Sequence, residues 1–391
     1  MAVDSLSNAY IGVSIGNENY QTGVVTHLKK LDSNGNLIWD KFIGRGCEIQ
    51  SIAVDNSNRV LLGIEYFDYV QIDNYIFQKT PPSRNILVVK LNEYGTAIWA
   101  KEEGMTSINE IKEIKADKQN NIYLTGRTTH EGVFNGVQLG GNMGGFAFLL
   151  QYNSDGVFQW IRIASERSNG YSLVIDRKGD CYMAGTIRGK NTFGDGKNSF
   201  TVISPKIEII NGNVIEPNNI FIAKYSPEGD IKWAIATEGN EFGDNFPLKM
   251  CIDYLDRIFI HGFIRSGYNG ATNITKFGNY SISSSYYKVY IARLIDDGTL
   301  GVEEIKEGKA LKIYPNPTKN YLNIEYNQTK ATDKVHLRIM GLNGSLIYNE
   351  IISGFAGKFS KNIDLSGISR GVYFVEILAG EERIVKKVVV N

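Results

Sequence analysis

The chain has 391 residues with 42 Lys+Arg against 42 Asp+Glu, and this balance denies it the clustered cation that duplex nucleic acid or an anionic membrane selects. Hydrophobic residues make up 42% and charged residues 21%, which excludes a disordered chain and, at this length, points to two or more domains. With 41 Gly against 8 Pro, and 22 Tyr and 18 Phe, the profile is that of many short strands joined by tight turns, so an all-β fold is expected.

Residues Met1 to Asn8 lack the basic start and apolar run of a signal peptide, so either the protein is cytoplasmic or this numbering begins inside a longer precursor. No window approaches the roughly 18 consecutive apolar residues of a membrane helix. The longest apolar runs, such as Gly145 to Leu150, have the length of a strand.

From there a repeat takes over. Trp39, Trp99, Trp160 and Trp233 each stand four residues after a glycine, Gly35, Gly95, Gly156 and Gly229. Five residues before those glycines come Lys30, Lys90, Gln151 and Lys224, so each tryptophan is the same position of one unit. A fifth copy, Ala292 to Gly298, has Val302 where its tryptophan should stand. A second half repeats too: Asp55, Asp117, Asp176 and Asp253 each end a strand with apolar residues one and three positions earlier. A turn and a further strand follow, ending at Gly63, Gly126, Gly185 and Gly262, with the first copy one residue shorter. Each unit should therefore hold four antiparallel strands, which is the pattern of propeller blades that bury their faces only against neighbours. Between Gly194 and Ile220, Asn211-Gly212-Asn213 flanked by apolar stretches predicts an additional projecting hairpin.

Segments such as Ile114 to Gly126 resemble the bacterial SBBP-type β-propeller repeat over residues 8 to 302. That resemblance implies about five four-stranded blades. Residues 8 to 31 would then complete a blade begun by residues 292 to 302 and close the ring; blades upstream of this numbering are the alternative.

The propeller is expected over 1–302, a charged linker over 303–310 and a second domain over 311–391. Tyr314-Pro315-Asn316-Pro317-Thr318 starts that domain as rigid extended chain, since each proline fixes its own φ and biases its predecessor away from helix. About seven short strands with turns at Gly341 to Gly344 and Ser366 to Gly371 predict a small Ig-like β-sandwich. The stretch resembles the type A C-terminal sorting domain of Bacteroidota type IX secretion cargo. The residues that carry the likeness are Tyr314 to Thr318, Gly341 with Gly344, Asp364 with Leu365, Gly371 with Tyr373, and Lys386 with Lys387. It implies export through the type IX machinery, an outer-membrane shuttle and a sortase-like peptidase, hence a secreted or cell-surface protein whose precursor carries a signal peptide. An ordinary Ig-like binding appendage is the competing reading.

Chemistry is sparse. His27, His130, His261 and His336 fall in different units with no metal-ligand spacing, and Cys47, Cys181 and Cys251 show no CxxC, so buried free thiols, no metal and no cofactor are expected. Asp32-Ser33-Asn34-Gly35-Asn36 starts like a calcium loop, but its repeats identify it as a blade hairpin. The tryptophans could stack on sugars; recurrence in every blade favours packing between blades. The function expected is a non-catalytic binding or adhesion module for a glycan or protein ligand; the alternative is an exported glycoside hydrolase or lyase with acidic residues in a propeller funnel.

Overall fold

The structure is a computed structural model describing residues 1–16, 24–79, 84–104, 109–129, 132–139, 145–164, 167–194, 198–203, 209–210, 213–214, 217–239, 244–253, 256–266, 272–278, 280–294, 300–301, 311–341, 345–379 and 382–391. Two compact domains separate, 1–302 and 303–391, and among the described residues every regular element is a strand. The expected linker 303–310, Val302, His130 and Gly344 lie outside the described residues.

The repeat domain is built of five four-stranded antiparallel units, each a meander in chain order. Unit 1 takes Ala2–Val3, Ala9–Ile15, Val25–Leu31 and the first part of Leu37–Val54. Unit 2 takes the rest of that strand with Val60–Ile72, Asn85–Leu91 and Ala97–Glu103. Unit 3 is Asn109–Ala116, Ile122–Thr129, Gly145–Tyr152 and Phe158–Ile163; unit 4 is Ser168–Ile175, Cys181–Ile187, Asn219–Tyr225 and Ile231–Ala236. Unit 5 is Asn245–Ile252, Ile258–Arg265, Tyr287–Leu294 and Leu300–Gly301. Leu37–Val54 serves two units because residues 37–45 pair with Val25–Leu31 and residues 44–54 with Val60–Ile72.

Among the described residues the expected closure, in which residues 292–302 begin a blade that residues 8–31 complete, does not occur. Unit 1 opens with its own first strand, Ala2–Val3, and Leu300–Gly301 pairs back onto Tyr287–Leu294 as the fourth strand of unit 5. The reason is local: the Asp4 carboxylate accepts the N–H groups of Leu6 (3.0 Å) and Asn8 (2.8 Å) and the Tyr10 hydroxyl (3.1 Å), folding residues 2–10 onto themselves. Asp4 is thus a fifth copy of the repeated aspartate. Asp117 makes the same bonds to Gln119, Asn121 and Tyr123, and Asp176 to Lys178, Asp180 and Tyr182. Asp55 closes its turn through Ser57 and Arg59, and Asp253 through Arg257. Such a side-chain-closed turn needs a left-handed residue three positions on, where Asn58, Asn120, Gly179 and Asp256 have φ of 56°, 64°, 88° and 60°.

Each pair of neighbouring units shares one apolar cluster, because alternate residues of a strand face opposite neighbours: Tyr123 packs toward unit 4 and Leu124 toward unit 2. The tryptophans cross these seams. The indole N–H of Trp39 donates to the Glu93 carbonyl (3.4 Å), Trp99 to Ser154 (3.5 Å) and Trp160 to Pro227 (3.0 Å), each in the following unit's turn. Gly95, Gly156 and Gly229 are buried under those rings, where a Cβ would press on the indole. Trp233 packs on Tyr182 with ring centroids 5.9 Å apart; the turn it would meet lies outside the described residues.

Hairpins inserted between second and third strands went unread in the sequence. Gly132–Phe134 with Val137–Leu139, Lys190–Gly194 with Ser199–Ile203, and Asn273–Phe277 with Tyr280–Ser284 each turn a phenylalanine onto the third strand. The pairs are Phe134–Phe148, Phe193–Phe221 and Phe277–Tyr290, with centroids 4.8 to 4.9 Å apart. Asn135-Gly136 between apolar runs was a legible signal. Of the hairpin expected around 206–216, Ile209–Ile210 pairs with Asn213–Val214, and its turn lies outside the described residues.

The carboxy-terminal domain has five described strands rather than about seven: Leu311–Tyr314, Tyr321–Gly341, Leu346–Asp364, Gly371–Ala379 and Glu382–Val390. What read as separate strands at Leu322–Tyr326 and Val335–Ile339 is one 21-residue strand, whose register shifts between Gln328 and Thr332. Its early part pairs with Leu311–Tyr314 and its late part with Gly371–Ala379, so one long strand does the work of two. Leu322, Ile324, Leu337, Val375, Ile377 and Val388 are in its core.

Candidate functional sites

In the carboxy-terminal domain the motif residues converge on the last strand. The Asn316 side chain donates to the Lys387 carbonyl (2.8 Å) and accepts the Val389 N–H (2.9 Å), standing in for the backbone of a neighbouring strand. Thr318 continues that pairing: its N–H donates to the Val389 carbonyl (2.8 Å), and its carbonyl accepts the Asn391 N–H (2.8 Å). Tyr314 donates to Glu325 (2.6 Å), and Pro315 and Pro317 follow cis bonds. Asp364 caps the next turn through the Ser366 N–H (2.8 Å), bonds to Ser366 that lower its pKa, and the Leu365 N–H donates to the Asn320 carbonyl. The Tyr373 hydroxyl donates to the Ser369 carbonyl (2.6 Å), closing the turn ahead of Gly371. Gly341 donates to the Ser345 carbonyl across its turn. Lys387 is exposed and Lys386 half-buried on the last strand, so their side chains stay partly open to solvent while their backbone is engaged.

In the repeat domain the first strands of units 2 to 5 line up along an axis. The residue four before each aspartate accepts the N–H of the residue three before the next one. Ser51 takes Ile114 (3.1 Å), Glu113 takes Leu173 (2.9 Å) and Ser172 takes Met250 (2.9 Å). Ser172 also donates to Glu113 (2.5 Å). Lys249 of unit 5 pairs with Glu113 of unit 3 (3.2 Å) and donates to the Lys112 carbonyl (3.4 Å), which two non-adjacent units can do only around a narrow axis.

One position along these strands differs in kind. Each first strand carries a β-bulge, between Ile49 and Ser51, opposite Thr125/Gly126, between Gly170 and Ser172, and between Pro247 and Lys249. The bulge explains the repeated second glycine: a Cβ on Gly126, Gly185 or Gly262 would overlap the carbonyl oxygen of Glu110, Asn169 or Phe246. It also lifts one residue per unit out of the ladder: Gln50, Lys112, Tyr171 and Leu248. Gln50 and Leu248 are exposed, Lys112 and Tyr171 half-buried.

Charges gather beside them. Glu65 accepts the Ile111 N–H (3.0 Å) and pairs with Arg84 (3.2 Å), and Glu110 pairs with Lys112 (2.9 Å). Burial pushes the Glu65 carboxyl up to about 7 against the opposing pull of Lys112 and Arg84. The sequence reading missed both Glu65 and the bulge residues, since a bulge shows itself only in the register. Asp55, Asp117, Asp176 and Asp253 belong to turns, each five residues along the chain from the bulge position.

Among the described residues no group of three His, Cys, Asp or Glu could hold a metal, and Asp32 spends its oxygens on the Asn34 and Asn36 N–H groups and the Asn36 amide. Cys47 and Cys181 are buried, with burial pushing the Cys47 thiol up to about 12, but Cys251 is exposed, contrary to expectation. No described helix is long and apolar enough to cross a membrane.

A family described as the secretion system C-terminal sorting domain matches residues 312–391, so this domain is a type IX sorting domain. No curated protein matches the chain. Distant likenesses in solved structures include a Bacteroides caccae protein of unknown function, 8% identical with a TM-score of 0.31, covering 87% of this chain and 93% of that one. Xylan β-1,4-xylosidase from Bacillus halodurans C-125 is 8% identical with a TM-score of 0.32, covering 99% and 88%. Dimeric latent PorU from Porphyromonas gingivalis is 12% identical with a TM-score of 0.18, covering 97% of this chain and 34% of that one.

Proposed function

We propose that the repeat domain is an open β-propeller of the SBBP type, acting at the cell surface or in the medium as a non-catalytic binding or adhesion module. Its sorting domain makes the chain secreted or cell-surface cargo that engages the type IX machinery. The proposal adds that an outer-membrane shuttle carries it and a sortase-like peptidase cuts near 303–310.

The observation that carries the binding reading is the bulge position. Around it the scaffold repeats: apolar residues three before each aspartate, the aspartate itself and the glycine opposite the bulge. At it stand Gln50, Lys112, Tyr171 and Leu248, four different chemistries lifted out of the ladder at one position of the repeat. A packing position would repeat its chemistry; a contact position with an asymmetric glycan or protein ligand would vary it. The hydrolase reading leans on Glu65, whose carboxyl burial pushes up to about 7, but one of its oxygens holds unit 3 through the Ile111 N–H and the other pairs with Arg84 of its own unit. Residues 1–391 applied to glycan and protein arrays should reveal a ligand whose binding falls at least about tenfold in Lys112→Ala and Tyr171→Ala at an unchanged unfolding midpoint. A ligand held equally well by both variants would place the site elsewhere.

A further inference from the structure

Two residues before each bulge, the first strand faces a residue of the second strand, and the chemistry of that pair changes from unit to unit. In unit 4 Asn169 donates to Thr186 (3.2 Å), and in unit 5 Phe246 lies against Phe263 with ring centroids 5.0 Å apart. In unit 2 the pair is Glu48 and Glu65, and both are engaged: Glu48 accepts the Gln50 amide (2.9 Å), while Glu65 takes the Ile111 N–H (3.0 Å) and Arg84 (3.2 Å). Unit 3 has Glu110 facing Arg127, opposite charges that do not pair with each other. Glu110 turns to Lys112 (2.9 Å), and among the described residues the Arg127 side chain has no hydrogen bond or ion pair.

Arg127 is held in place by packing instead. Its Nε is buried without an acceptor and lies over Gly145, where a Cβ would overlap it, while the residue as a whole is half-buried. A guanidinium cannot shed its charge, so one that is partly withdrawn from water without a counterion destabilises the fold until an anion meets it. The charges of Lys112, Arg127 and Arg84 all reach the Glu110 carboxylate, and those of Lys112, Glu110 and Arg127 reach the Tyr171 hydroxyl of unit 4. Around Tyr171 two cations therefore stand against one carboxylate. Of the three cations, Glu65 takes Arg84 and Glu110 takes Lys112, and Arg127 is left over.

We propose, resting on the binding reading above, that Arg127, Lys112 and Tyr171 form a subsite for an acidic glycan, in which the carboxylate or sulfate oxygens of an anionic sugar meet the Arg127 guanidinium. The planar fork of donors on an arginine takes such oxygens two at a time, Lys112 adds a second cation, and the Tyr171 ring offers a surface for the sugar. An acidic peptide fits less well. The inner strand edges that would pair with an extended backbone are spent, because the N–H groups of Ile111, Leu173 and Met250 donate to side chains of neighbouring units.

The test titrates residues 1–391 with oligomers of a polyuronate and of a sulfated polysaccharide, each beside its methyl-esterified or desulfated form. At least one acidic chain should bind, more weakly as salt rises, and the two arms tell carboxylate from sulfate. Its neutralised form should bind at least about tenfold more weakly. Arg127→Ala should weaken the acidic chain by a similar factor without lowering the unfolding midpoint, since the side chain has no partner to lose. Equal affinity for acidic and neutralised chains overturns the proposal, and so does full-strength binding by a folded Arg127→Ala. Should that variant unfold, the preference of the native protein for the acidic over the neutralised chain decides. If no acidic glycan binds while another ligand depends on Lys112 and Tyr171, the acidic subsite falls and the binding reading stands; if no ligand of any kind binds, both fall.

Discussion

The two domains use sequence in opposite ways. In the repeat domain the structural positions are written several times over, so their roles emerge from comparing copies: aspartates that close turns, and glycines under an indole or opposite a bulge. In the carboxy-terminal domain each element occurs once, and its motif residues meet only in space, where Asn316 and Thr318 take the place of a strand beside Lys387 and Val389. Repetition separates scaffold from site, because the scaffold is what stays the same. A single-copy domain shows its motif only through likeness to a family.

Removing residues 311–391 is the strongest test of that division. In a signal-bearing precursor the deletion should trap the protein in the periplasm, measured by fractionation and surface proteolysis; normal surface delivery would detach sorting from this domain. Within the array, Trp99→Ala removes a ring 8% exposed at the seam of units 2 and 3, and should cost about 3–5 kcal/mol in denaturant unfolding. An unchanged midpoint would show that the seams do not depend on their tryptophans. Gly126→Ala should cost about 1–3 kcal/mol, since the new methyl meets the Glu110 carbonyl and the bulge must shift. A loss confined to ligand binding would mean the bulge serves the site alone. The smallest effect is on pH dependence. Glu65 titrates near 7 when folded against an ordinary 4.5, so its contribution to stability is present below about pH 4.5 and fades as pH rises to about 7. Glu65→Gln should flatten that part of the stability profile; an unaltered slope would mean that Glu65 is not the group responsible.

Much of the scaffold was legible beforehand. The spacing of Trp39, Trp99 and Trp160 from their glycines carries the seams, and Asp117 to Gly126 carries a complete hairpin. Asp4 escaped notice although Asp4 to Tyr10 repeats the spacing of Asp117 to Tyr123, because no tryptophan precedes it. The long strand Tyr321–Gly341 reads as two in the sequence, since 327–334 is almost wholly polar, yet pairing with Leu346–Asp364 carries the strand through it. Cys251 looked like another buried thiol because burial there depends on what packs against unit 5, which residue spacing does not show.

By itself the sequence determined the all-β class, the repeat and its turns, and the sorting domain, because these rest on contacts between residues a few positions apart or on motif order. The tertiary structure alone decided that units 1 and 5 each complete their own four strands, and that Gln50, Lys112, Tyr171 and Leu248 leave the ladder. Those features depend on register and on which unit meets which. Side-chain alternation tells a strand which residues to bury, but only the neighbouring sheet determines whether they are covered.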